Sequence, residues 1–266
     1  MRRAVDFYRE RGPKAFVVAL KRRYSLPIPV SARFRWEAGI QSEIGFWDEW
    51  FRTNGPRLSN QYRLRLDPDA PLQPGPAALL PSRAEVHILD VGAGPLTLLG
   101  KKCEGRRIKM TAIDPLADAY DRLLDKYHVK PIIRTQKAYA ESLTTRFPPN
   151  TFDLVFARNS IDHARNPEMA ILQMIEVAKT GCYVLLVHYV NEAERAGYTG
   201  LHQWNFSMSA NGDFLISSGS VRVNMTRKVA GLCTTTCELD TVPDARARSV
   251  ELIVKMKKRG VHHGAI

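Results

Sequence analysis

The chain, 266 residues long, is short of cysteine, of long apolar runs and of acid. Its four cysteines, Cys103, Cys182, Cys233 and Cys237, are too few for a disulfide scaffold at this size. None stands in a CxxC pair, so a zinc ribbon is excluded and a reduced, cytoplasmic protein is the simpler expectation. The longest apolar stretches, such as residues 15–20 and 183–187, fall far short of the roughly 20 residues that span a bilayer. Asp6, Arg9, Glu10 and Arg11 interrupt the opening segment, so no signal peptide is expected. Neither an internal repeat nor a low-complexity tract is present.

Acid is outnumbered: 27 Asp and Glu face 39 Lys and Arg, a net charge of +12. Ten of the basic residues (Arg2, Arg3, Arg9, Arg11, Lys14, Lys21, Arg22, Arg23, Arg33 and Arg35) lie in residues 1–36, against only Asp6 and Glu10. A basic arm of this kind implies an anionic partner, either nucleic acid or an acidic membrane surface, unless it is merely a solvated helix face. Hydrophobic residues at 44% and charged residues at 25% exclude wholesale disorder. The length suits one α/β domain with an appendage.

Two regions follow from the pattern. Residues 1–83 read as a basic helical extension and proline-rich linker. Residues 1–26 are helical in pattern with a break at Gly12-Pro13, and a second helix over 37–51 puts Ile40, Ile44, Trp47 and Phe51 on one face. That helix either covers the flank of the domain or forms a lid. Five prolines (Pro68, Pro71, Pro74, Pro76 and Pro81) mark residues 67–81 as a linker or a loop over the surface. From 84 to 266 short apolar runs (85–91, 109–113, 129–134, 152–156 and 181–187) alternate with helical stretches such as 116–127 and 167–179. This predicts βαβ units and a parallel sheet buried on both faces. Two late β-rich runs, 232–238 and 250–256, are expected to pair antiparallel at one edge.

The first strand ends in Leu89-Asp90-Val91-Gly92-Ala93-Gly94-Pro95-Leu96-Thr97. Ligands of open α/β sheets bind at such turns, where glycines let backbone N–H groups come close. A third small residue would favour pyrophosphate, but Thr97 stands there, and the carboxylate of Asp90 suits a cationic ligand end instead. Asp114, twenty residues beyond Gly94, ends the second strand, where a carboxylate can accept both ribose hydroxyls of a nucleoside. It can equally cap the helix that starts near Leu116.

Together these features resemble the class I S-adenosylmethionine-dependent methyltransferases over roughly residues 84–258. The resemblance implies a Rossmann-like, doubly wound, seven-stranded sheet, mostly parallel with an antiparallel C-terminal edge hairpin, preceded by the N-terminal helical extension. It also implies S-adenosylmethionine as cofactor, held by Asp90, Gly92, Gly94, Asp114, Pro115, Tyr139, Ala140, Glu141 and Asn159. Tyr139-Ala140-Glu141 departs from the family's usual Asp-Ala-Glu. Residues 150–156 (Asn-Thr-Phe-Asp-Leu-Val-Phe), followed by Asn159-Ser160-Ile161-Asp162-His163, match the small-molecule branch. Patterns at 43–51, 66–68 and 201–206 resemble methyltransferases associated with bacterial glycan and polysaccharide biosynthesis.

Methyl transfer to a hydroxyl calls for a base. His163, with Asp162 beside it, follows the fourth strand, and His188 and His202 follow the fifth; these three are the candidate catalytic residues. Asp162, Asn191, Gln203 and Trp204 are the candidate acceptor contacts, since amides and an aromatic face suit a carbohydrate. His163, His188, His202 and Asp162 lack a fixed ligand spacing, so no metal site is expected. The reading that results is O-methylation of a sugar or glycan-type small molecule, with residues 1–36 resting on the anionic inner face of a membrane. RNA methylation is the alternative raised by the charge. Ala157-Arg158-Asn159-Ser160 argues against it, because base-amino methyltransferases carry an Asn/Asp-Pro-Pro-aromatic run there. A non-catalytic binding module rests on Tyr139 alone.

Overall fold

A computed structural model describes residues 32–55, 59–243 and 248–260. Most of the basic arm, with its expected helix over 1–26, lies outside the described residues. The helix expected over 37–51 forms as α1 (Ala32–Arg52), with Trp47 and Phe51 buried on the anticipated face. Two shorter helices follow, α2 (Ser59–Leu66) and α3 (Pro74–Ala78). The proline-rich stretch is no free linker. Leu72 N donates to Lys102 O at 2.7 Å, and Ala70, Leu72 and Leu80 are buried.

The main sheet contains β1 (Glu85–Val91), β2 (Arg107–Asp114), β3 (Gln136–Lys137), β4 (Phe152–Arg158), β5 (Ala178–Tyr189), β9 (Cys233–Pro243) and β10 (Arg248–Lys258), in the order β3-β2-β1-β4-β5-β10-β9. The first five strands pair in parallel, and β10 runs antiparallel to both β5 and β9. This is the doubly wound, Rossmann-like arrangement with an antiparallel edge hairpin that the sequence predicts. β4 is buried along all but its last residue, as a central parallel strand must be. Leu89, Val155 and Leu186 face one apolar layer, and Val86, Leu154 and Leu185 face the other. Chain order reverses between β1 and β4, so the crevice for a ligand opens at their carboxyl ends.

Two helices follow the predicted pattern. α4 (Ala117–Lys126) buries Ala117, Tyr120, Leu123 and Leu124 and leaves its acids outside. α5 (Pro167–Val177) starts at Asn166, whose side chain accepts from Met169 N at 3.0 Å, with Pro167 as its first residue.

Three expectations need correction. Residues 129–134 form no strand: Pro131 lacks the N–H a ladder needs and Ile132 stays exposed, so the third strand shrinks to Gln136–Lys137. No helix joins β1 to β2; Leu96 and Leu99 instead insert into different apolar clusters, and α1 packs where a crossover helix would lie. Between β5 and β9 the chain adds α6 (Glu192–Arg195), a second antiparallel sheet and α7 (Met225–Lys228). That sheet is β6 (Asn205–Met208), β7 (Phe214–Ser218) and β8 (Val221–Asn224), with Phe206, Phe214 and Ile216 joining the main core.

Candidate functional site

A cavity of about 380 Å3 opens at the carboxyl ends of β1, β2 and β4. All nine predicted cofactor residues line it: Asp90, Gly92, Gly94, Asp114, Pro115, Tyr139, Ala140, Glu141 and Asn159. The two carboxylates are buried in its floor. Asp114 Oδ1 accepts from Leu116 N at 2.8 Å and Oδ2 from Gly94 N at 3.2 Å, so it ties the β1 turn to the start of α4 while still facing the cavity. Burial pushes its carboxyl up to about 7, against the pull of those two backbone bonds. Asp90 is likewise pushed up by burial, to about 6; the hydroxyl of Thr97, 2.5 Å from its Oδ2, and the charge of Arg65 oppose the rise. Thr97, which stands where a third small residue would favour pyrophosphate, therefore holds Asp90 in place. It also accepts from Leu99 N at 3.1 Å.

Gly94 has φ +65°, and a Cβ there would meet Trp47 Cζ2 at 2.8 Å, so the turn admits α1 only because the side chain is missing. Tyr139 stands at the cavity rim, 41% exposed. Glu141 Oε1 accepts from Arg165 N at 2.9 Å and Asn159 Oδ1 from Tyr189 N at 3.1 Å, so both side chains also brace the loops around the cavity.

Among the cavity residues that the sequence does not mark, Arg65 carries the most chemistry. Arg65, at the end of α2, lies against the rings of Trp47 and Trp50, 5.4 and 5.8 Å from their centroids. It donates to Leu96 O, its Nε is buried without a partner, and burial lowers the guanidinium to about 10. No pattern around Arg65 marks it, because α2 carries no sharp apolar face. Floor carboxylates beside a half-satisfied guanidinium suit a ligand with hydroxyls, a cationic centre and an anionic end.

The opposite wall holds the histidines. Asp162, in the 3-10 turn Ile161–His163, is buried. Its Oδ2 lies 2.8 Å from His202 Nδ1 and 3.6 Å from His163 Nε2, and those two nitrogens are 3.1 Å apart. Burial alone would raise the Asp162 carboxyl, but His163, His188 and His202 outweigh it and hold it well below the usual range. Burial likewise works against a proton on His202; its bond to Asp162 prevails and keeps the imidazole above its ordinary value. His163 and His202 line the cavity. His188 does not. It is buried behind Asp162, with Nδ1 3.5 Å from Oδ1, packs on Phe206, and burial depresses its proton affinity. As a candidate catalytic group it is therefore corrected: it lies one layer behind the wall.

The candidate acceptor contacts fare unevenly. Asp162 anchors the wall without lining the cavity. Asn191, Gln203 and Trp204 do not line it either. Asn191 takes a left-handed conformation before α6, Gln203 donates to Gly200 O at 3.1 Å, and Trp204 Nε1 donates to Ala164 O at 3.0 Å. Aromatic surface is supplied instead by α1, whose Trp36, Phe46 and Trp47 line the cavity, with Phe46 51% exposed. The helix packs on the flank of the domain through Trp47, Trp50 and Phe51 and also borders the cavity. Gly39 sets how close it comes, since a Cβ there would meet Gly200 O at 2.7 Å and Leu201 Cδ2 at 2.5 Å, next to His202.

Residues 89–186 match a family model described as a methyltransferase domain. No curated protein matches the chain. Among solved structures, the chain is similar to Haemonchus contortus phosphoethanolamine N-methyltransferase 2 in complex with phosphomonomethylethanolamine and S-adenosylhomocysteine. The identity is 14%, over 88% of this chain and 62% of the other, with a TM-score of 0.55. It is also similar to a chain of the complex of the Haloferax volcanii Trm112 methyltransferase activator. There the identity is 12%, over 84% of this chain and all of the other, with a TM-score of 0.50. At such identities these likenesses speak for the fold.

Proposed function

We propose that this S-adenosylmethionine-dependent methyltransferase places its methyl group on a hydroxyl of a sugar or glycan-type small molecule. The observation that carries the reading is the Asp162–His202 pair on the cavity wall opposite Asp90 and Asp114. A neutral amine acceptor needs no base, whereas a hydroxyl gains about 10²–10⁴-fold from one in place. His202 gives Nδ1–H to Asp162, which fixes its tautomer and leaves Nε2 to receive the hydroxyl proton. His163 stands beside it as a second polar contact, and the exposed ring of Phe46 offers a face on which a sugar ring can pack.

The cofactor site fits the same reading. S-adenosylmethionine, when bound, supplies a methyl group on a cationic sulfur. Asp114 would accept from the ribose hydroxyls, Asp90 would face the amino group, and Arg65 would take the carboxylate. Tyr139 would lie against the adenine, with Gly92, Gly94, Pro115, Ala140, Glu141 and Asn159 shaping the remaining wall. Such charge-assisted hydrogen bonds are worth about 1.5–3 kcal/mol each.

Residues 84–266 form the catalytic unit in this reading, and 1–83 supply the roof and a basic arm that rests on an anionic membrane surface. Among the described residues no helix is long and apolar enough to cross a membrane. The test is transfer of labelled methyl groups to a panel of hydroxyl-bearing glycans, free amines and RNA. Label on a sugar hydroxyl, lost in His202→Ala, is expected; transfer to amines or RNA alone would overturn the reading.

A further inference from the structure

We propose that Asp162, His163 and His202 form a divalent-cation site whose open face looks into the cavity. The inference rests on reading this wall as the acceptor side and changes the part His202 plays there: with an ion on Nδ1 the imidazole keeps its proton on Nε2, and the ion, in place of a free histidine base, lowers the proton affinity of the acceptor oxygen it meets. Three electron-pair donors converge: Asp162 Oδ2, His163 Nε2 and His202 Nδ1 are separated by 2.8, 3.1 and 3.6 Å. Ligands about 2.1 Å from one cation are about 3.0 Å apart across an octahedral edge and about 3.4 Å across a tetrahedral one. A point about 2.1 Å from all three atoms lies about 1 Å out of their plane, leaving room on one side for further ligands.

The ring geometry is a second, independent observation. A straight N–H···N bond of this length would hold two imidazole centroids about 5.4 Å apart. They are 4.5 Å apart, with the rings at 74°. Two imidazoles pointing at a shared cation at about 90° to each other would have centroids about 4.6 Å apart. The observed spacing is thus closer to that of two rings sharing a cation than to that of a straight bond between them, although the two nitrogens lie within hydrogen-bond distance.

The carboxylate is set for this task. Asp162 is 97% buried, as its 3% residual exposure shows, and turns Oδ2 to the histidines. Its Oδ1 makes no hydrogen bond and faces His188 Nδ1 at 3.5 Å; both ring nitrogens of His188 are also without hydrogen-bond partners. A second layer of this kind orients metal-bound carboxylates. Two imidazoles and one carboxylate with open positions select first-row divalent ions such as Zn²⁺, Co²⁺ or Mn²⁺ over Mg²⁺ or Ca²⁺. His163 and His202 line the cavity, so an acceptor oxygen fits an open coordination position.

The experiment is calorimetric titration of the full chain with Co²⁺ and Zn²⁺, with the visible absorption of bound Co²⁺ as a second readout. One ion per chain is expected, with a micromolar or tighter Kd and a cobalt spectrum of nitrogen–oxygen ligation. Asp162→Asn and the double variant His163→Ala/His202→Ala should each weaken binding at least about 100-fold. His188→Ala should weaken it about 10-fold. His87→Ala, a histidine elsewhere, should bind as the parent does, and all variants should still bind S-adenosylmethionine. Failure of both ions to bind at one equivalent, or a double variant that binds as tightly as the parent, would overturn the site. Failure of the sugar reading looks different: no hydroxyl acceptor is methylated with or without chelator, while the cobalt spectrum persists.

Discussion

Gly94 N donates to Asp114 Oδ2 at 3.2 Å, so the tip of β1 is tied to the carboxylate at the tip of β2. Burial has raised that carboxyl to about 7, and with Asp114 holding the ribose as proposed, cofactor affinity should depend on pH. Ribose hydroxyls donate, so they favour the ionised form. In the free chain Asp114 is protonated below about 7 and must lose its proton on binding. Affinity for S-adenosylmethionine should therefore rise with pH by up to about tenfold per unit below 7 and level off above it. Stability of the free chain runs the other way. The share due to Asp114 is complete below 3.8 and is lost as pH rises through about 7. Calorimetry from about pH 5.5 to about pH 8 tests the binding claim; Asp114→Asn should bind more weakly and keep only the slope below about 6 that Asp90 contributes.

Arg65→Met should weaken S-adenosylmethionine by about 10- to 100-fold, the worth of a charged hydrogen bond. Binding of 5′-methylthioadenosine, which lacks the amino-acid end, should change less than about threefold. Equal losses for both ligands would show that Arg65 only shapes the cavity.

His202→Ala should lower kcat for a hydroxyl acceptor by about 10²–10⁴-fold. Its Kd for S-adenosylmethionine should stay within about twofold, because the histidine lies on the other wall. A matching loss of cofactor affinity would mean that the wall had collapsed.

Gly39→Ala introduces a methyl group into the contact with Gly200 O and Leu201. Overpacking of this kind costs about 1–3 kcal/mol, read as a lower Tm. The acceptor KM should rise as well, since His202 follows directly after Leu201, while the cofactor Kd holds.

Trp47→Ala should cost about 3–5 kcal/mol in chemical unfolding, as expected for a large buried aromatic. Trp47 packs edge-on to Trp50 and Tyr120, at centroid distances of 5.3 and 6.2 Å, and closes over Gly94. A smaller loss would show that α1 is held mainly by other contacts.

Much of the sheet was legible because its strands are buried on both faces and so appear as plain apolar runs. The run at 85–91 matches β1 residue for residue, and the late pair falls at the predicted edge. The third strand was illegible, since residues 129–134 have β-type side chains but a proline in the ladder. β6 to β8 were not legible because strands of four or five residues carry too little alternation to stand out. In the site, Asp90 and Asp114 were visible through their spacing from the glycines. The histidine trio was not legible as a unit: Asp162 and His202 are forty residues apart and meet only because two loops end on one wall. Arg65 was invisible for a related reason, as one of two arginines on a polar helix becomes informative only once its surroundings are dry.

Because Trp36, Phe46 and Trp47 of α1 line the same cavity as Asp90 and Asp114, one helix borders whatever enters it. Substitutions at Trp36, Phe46 or Gly39 would reshape that space from one side while leaving both strand-tip carboxylates in place. On the proposed reading, changing the acceptor is therefore a problem in redesigning this helix together with the loops that carry His163 and His202.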